Sequence, residues 1–139
     1  MDLITISRSL IGNATYVRGA NPASAPGIVD CSTYTAWVCR HVDVPLPRYA
    51  RDQHAQCDTV IRAQLLPLDF IFFRVKDNED LERIPRNHVA HVGIVVSNTH
   101  FVHAATPKLG VIEQLIDSID PERFHSFGRL PALAAFQQI

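Results

Sequence analysis

Near residue 66 the periodicity of the chain changes, and that change constrains the fold more than any other feature. Before it, apolar and aromatic residues recur at three-and-four spacing: Leu3, Ile6, Leu10 and Ile11 within 2–16, then Tyr34, Trp37, Val38 and His41 within 31–41. That spacing places side chains on one face of a helix. Gly12-Asn13 marks the end of the first helix, Pro45-Leu46-Pro47 stops the second, and 48–56 predicts a shorter third. Beyond it come short runs rich in β-branched and aromatic residues at 68–75, 89–96 and 100–104, with weaker ones at 111–115 and 124–130. Helices first and strands afterwards predict an α+β fold, its N-terminal helices packed on one face of a mainly antiparallel sheet of five to six strands.

With 139 residues, 1–139 is expected to form a single domain, and a core of that size needs neither metal nor disulfide. A formal net charge of -1 argues against nucleic acid as a partner. No apolar run reaches membrane-spanning length. The first residues, Met1-Asp2-Leu3-Ile4-Thr5, lack the basic and long apolar regions of a secretory signal. The expectation is synthesis in the cytoplasm, with delivery by another route if the substrate lies in the periplasm or cell wall. Three cysteines, at 31, 39 and 57, cannot all pair, which favours reduced thiols. The charged stretch 76–87 reads as a solvated loop that could shape a substrate rim.

Cys31 stands where an irregular Pro/Gly-bearing loop meets the second helix, with Asp30 or Ser32 available to cap it. Unpaired backbone N–H groups at a helix start favour thiolate over thiol and can hold an oxyanion. Such a nucleophile needs a base, and the base an orienting group. His91 and His103 supply both if their strands form a hairpin around Ser97-Asn98-Thr99, because they then come close to being cross-strand neighbours. Half-buried structural histidines are the plain alternative. Zinc is disfavoured: His88 with His91, and His100 with His103, are three apart, which puts partners on opposite faces of a strand.

Six stretches in order, Ala14-Thr15-Tyr16-Val17-Arg18-Gly19, Asp30-Cys31-Ser32, Leu46-Pro47-Arg48 with Gln53, Leu66 to Phe73, His91-Val92-Gly93-Ile94 and Phe101-Val102-His103-Ala104, resemble the NlpC-type (NlpC/p60) peptidoglycan endopeptidases, a papain-like cysteine peptidase family. The resemblance implies Cys31 as nucleophile, His91 as general base and His103 as the orienting third residue. It implies a pocket of Tyr16, Asp30 and Ser32 for the free amino end of a stem peptide. The implied partner is a peptidoglycan stem peptide or muropeptide, cut between D-isoglutamate and the following diamino acid, with no metal or organic cofactor. An immunity protein is a further implied partner if the chain is a secreted toxin. A catalytically silent wall-peptide or protein-binding module, and a thiol amidase or acyltransferase on another substrate, use the same residues. Thr33, Cys57, Leu68 and Ser97 stand where the family usually has small residues or glycine, which bears on turn geometry and pocket shape.

Overall fold

The computed structural model describes residues 2–74 and 88–137; the charged stretch 76–87 lies outside the described residues. Helix α1 (Leu3–Ser9) starts where the Asp2 carboxylate accepts the Thr5 amide at 2.8 Å. It stops sooner than the apolar spacing over 2–16 suggests. Gly12 takes a left-handed φ of +75°, and the Asn13 side-chain amide donates to the Ser9 carbonyl. Tyr16 therefore lies not on a helix but on β1 (Thr15–Tyr16), which pairs in parallel with β2 (Ile28–Val29). This two-stranded ribbon brings Tyr16 alongside Val29, two residues before Cys31.

Helix α2 (Cys31–Arg40) and helix α3 (Ala50–Ala55) follow. The strands β3 (Asp58–Val60), β4 (Phe70–Arg74), β5 (Val89–Val95), β6 (His100–Thr106), β7 (Gly110–Leu115) and β8 (Phe124–Arg129) form one six-stranded sheet in the order β3-β8-β4-β5-β6-β7. Every neighbouring pair is antiparallel. The helices pack on one face of this sheet, against Phe70, Phe72, Val92, Ile94, Val102 and Ala104. Ile71, Phe73, Val95, Phe101 and Phe127 form a second apolar cluster on the opposite face. Alternation along each strand produces both. No described helix is long and apolar enough to cross a membrane.

Three of the four positions singled out above, Leu68, Thr33 and Ser97, have local structural explanations. Leu68 holds a left-handed φ of +74°, a conformation that costs a non-glycine residue about 1–2 kcal/mol. Its side chain is buried in the core, which offsets that strain by about 2 kcal/mol. Thr33 completes a reciprocal cap with Asp30, and the Ser97 hydroxyl accepts the amides of Thr99 and His100 in the β5–β6 turn. Asp69, fully buried, accepts two hydrogen bonds from Arg129 and one each from Gln137 and the Leu66 amide, all at 2.8 Å, tying β4 to β8 and to the C-terminal turn.

Candidate active site

Cys31 is the first residue of α2. Asp30 caps that helix, its carboxylate accepting the Thr33 amide at 2.9 Å while the Thr33 hydroxyl accepts the Asp30 amide at 2.8 Å. The same carboxylate is held by Arg48 at 2.7 Å, and Arg48 also donates to the Ser32 hydroxyl at 2.9 Å and to the Ala20 carbonyl at 2.8 Å. Asp30 and Ser32 are thus buried in a polar cluster behind the thiol, and neither lines the cavity in front of it. Arg48, which carries that cluster, stands in one of the sequence blocks but was not singled out as a site residue.

The cavity encloses about 690 Å³, and Tyr16, Cys31, His91 and His103 all line it. His91 and His103 are brought together by register. With Ile94 opposite Val102, the position across from His103 is Gly93, and His91 lies two residues further on the same face. His91 Nε2 and His103 Nδ1 are 2.7 Å apart, with the rings nearly edge to face. Phe73 packs against both imidazoles, and Phe101 against that of His103.

Gly93 has a steric reason to be glycine. A Cβ there would stand 2.9 Å from the Phe101 ring and 3.1 Å from the Cβ of His103, closer than ordinary packing permits. Recorded pairing between β5 and β6 runs through Ile94–Val102 and Val95–Phe101 and goes no further, although both strands continue. The cavity opens beyond the end of that ladder, between Ala90 and His91 on one strand and His103, Ala105 and Thr106 on the other.

At Cys31 burial acts against the helix start. Burial, with the Asp30 carboxylate as second cause, pushes the thiol up to about 11, outweighing hydrogen bonds from Val92 and Ser32 that act the other way. Burial also holds His91 well below the usual histidine value, helped by His103 and by the Arg123 charge. His103 falls to about 4 through burial, and Arg123 again contributes. Tyr16 rises to about 12 through burial, then through Cys31 and Asp30, so its phenol keeps its proton beside the thiol. Among the described residues no hydrogen bond joins Cys31 to His91.

Burial thus favours a neutral thiol and neutral imidazoles, and this has a direct readout. Alkylation by iodoacetamide is expected to be slow at pH 7 and to quicken about tenfold per pH unit until the pH nears the thiol's own value. A rate independent of pH between 6 and 9 would mean that the thiolate already exists at rest.

Three residues with a bearing on the site were not legible as such. Gln114 accepts from His103 Nε2 at 3.0 Å, and Arg18 and Arg123 line the cavity. Gln114 was only a polar residue in a weak strand. No group of three or more histidine, cysteine or acidic side chains suited to a metal occurs among the described residues.

A helix-borne cysteine and a histidine pair on an antiparallel sheet, sharing one cavity, define a papain-like arrangement. The chain belongs to the NlpC/P60 family, whose model matches residues 13–127. It is 32% identical over 92 residues to the probable endopeptidase NlpC of Escherichia coli (strain K12), covering 66% of this chain and 54% of that protein. To the probable endopeptidase p60 of Listeria welshimeri it is 30% identical over 102 residues, 73% of this chain and 17% of that one. The chain thus spans about half of the first relative and a smaller part of the second. In structure it resembles NlpC2 from Trichomonas vaginalis, with a TM-score of 0.76 and 26% identity over 92% of this chain and 44% of the other.

Proposed function

We propose that this chain is a peptidoglycan hydrolase of the endopeptidase kind, working through Cys31, His91 and His103. The observation that carries the reading is the common cavity, where a thiol at a helix N-terminus and a hydrogen-bonded histidine pair face the same space. Family membership and relatives named as endopeptidases support it. The chemistry starts from neutral groups. His91 takes the thiol proton as sulfur attacks the amide carbonyl, and a C–S bond forms. Asp30 already occupies the amides of Thr33 and Tyr34, so the amides of Cys31 and Ser32 are the donors left for the oxyanion. His91 then returns the proton to the leaving amine as the C–N bond breaks. Water, deprotonated by His91, hydrolyses the thioester and restores the thiol.

Tyr16 offers a phenol to the substrate, while Asp30 and Ser32 act from behind, through the cap and Arg48. The proposed scissile bond joins D-isoglutamate to the following diamino acid of the stem peptide. Incubation with stem tripeptides, tetrapeptides and intact sacculi, read by mass spectrometry, is expected to release fragments ending at isoglutamate. Cleavage elsewhere would correct the bond. Absence of cleavage together with a Cys31 that resists alkylation even at about pH 10 would replace the enzyme by a wall-peptide binding module.

A further inference from the structure

Behind the histidine pair, a line of hydrogen bonds starts at a backbone carbonyl. The Ser118 hydroxyl donates to the Leu115 carbonyl at 2.7 Å, which uses its only hydrogen. It can then only accept from the Gln114 side-chain amide, whose nitrogen lies 3.0 Å away. That turns the Gln114 carbonyl oxygen towards His103 Nε2, at 3.0 Å. An oxygen acceptor there requires a proton on Nε2 of His103, and in a neutral ring Nδ1 is then a bare lone pair. The bare Nδ1 in turn requires that the His91 nitrogen 2.7 Å away, Nε2, carry its proton. One nitrogen is left over: Nδ1 of His91, unprotonated and unengaged among the described residues.

The reverse polarity is self-defeating. Were the Gln114 amide turned round, its NH2 would face His103, Nε2 would have to accept, and Nδ1 of His103 would donate to His91. His91 would then carry its proton on Nδ1 and could not accept another there. That flip also needs the Ser118 hydrogen to leave the Leu115 carbonyl. Ser118 lies in the short 3-10 turn Ile116–Ser118 that follows β7, so the end of that strand fixes a proton two side chains away.

We propose that Gln114, oriented by Ser118, is a positioning residue that sets the tautomers of His103 and His91 and leaves His91 Nδ1 free to take the Cys31 proton; it rests on the thiol-hydrolase reading above. Nitrogen-15 NMR of the imidazoles, at a pH where both rings are neutral, tests it without any turnover. The parent is expected to show both histidines protonated at Nε2. Gln114→Met, close in shape but without the acceptor, is expected to give mixed tautomers and a kcat about 100-fold lower, with KM within about twofold. Gln114→Glu keeps an oxygen acceptor and is expected to restore the tautomers and most of kcat. Its acid limb should lie at higher pH, because a carboxylate favours the imidazolium of His103. Ser118→Ala, at an exposed position, is expected to fold normally and to lose about tenfold in kcat as the amide gains freedom to turn.

A parent His103 protonated at Nδ1, or tautomers unchanged in Gln114→Met, would overturn the inference whatever the activity. Tautomers that follow the expected pattern in a protein that cleaves no wall peptide would uphold the relay and sink the peptidoglycan reading instead.

Discussion

Replacing Cys31 by alanine is expected to leave less than about a thousandth of the parent's kcat/KM on stem peptides while the protein stays folded. The magnitude follows from what is removed. Without sulfur no thioester forms, and the remaining groups can only polarise the carbonyl and orient water. Folding should survive because the cap that starts α2 is built from Asp30 and Thr33, and the substitution removes one buried sulfur from the core edge. His91→Ala should lose a comparable factor, and the double variant little more than either single one, since in the proposed mechanism the two act in one proton transfer. Mass-spectrometric rate measurements on the three variants decide it. Residual cleavage by Cys31→Ala above about a tenth of the parent's rate would require a nucleophile other than this thiol.

The second large effect falls on stability. Asp69→Ala is expected to cost about 3–5 kcal/mol in urea unfolding at neutral pH, the range for breaking a buried ion pair by removing one partner. The Asp69 carboxylate makes four hydrogen bonds, and its loss removes a partner from the Arg129 guanidinium, from the Gln137 amide, which keeps the Pro67 carbonyl, and from the Leu66 backbone N–H. Arg129 retains the Gln64 carbonyl and some exposure, which keeps the cost from running higher. Asp69→Asn preserves shape but turns an NH2 towards other donors, so a loss of about 2 kcal/mol is expected. A loss below about 1 kcal/mol for the alanine variant would show that water or rearrangement satisfies those groups.

How far the chain could be read from its residues depended on the length over which each signal persists. The change of period near residue 66 predicted the layers correctly, because helices and strands of five residues or more carry their spacing openly. The ribbon of Thr15–Tyr16 with Ile28–Val29 and the strand Asp58–Val60 are two or three residues long, too short to show alternation. Placement of Phe124–Arg129 between two earlier strands is a long-range pairing that no local pattern encodes. His91 and His103 were legible as neighbours because a tight turn at 97–99 fixes the register between them. The burial that raises the Cys31 thiol was not legible, because a helix start is visible in sequence and the depth of burial is not. Asp30 and Ser32 sit beside the nucleophile in sequence, yet helix geometry turns them into the cluster around Arg48.

Between β5 and β6 the ladder stops after Ile94–Val102 and Val95–Phe101, and the cavity occupies the place where it would have continued. A sheet gains stability from each pair it adds, so the site occupies an interruption that the fold would gain by closing. Selection for thermal resistance alone should favour substitutions that zip Ala90 and Val92 onto their neighbours across the gap, and such variants would melt higher and cut nothing. In the mechanism proposed above the open seam is the working part, and its incompleteness is what has to be maintained.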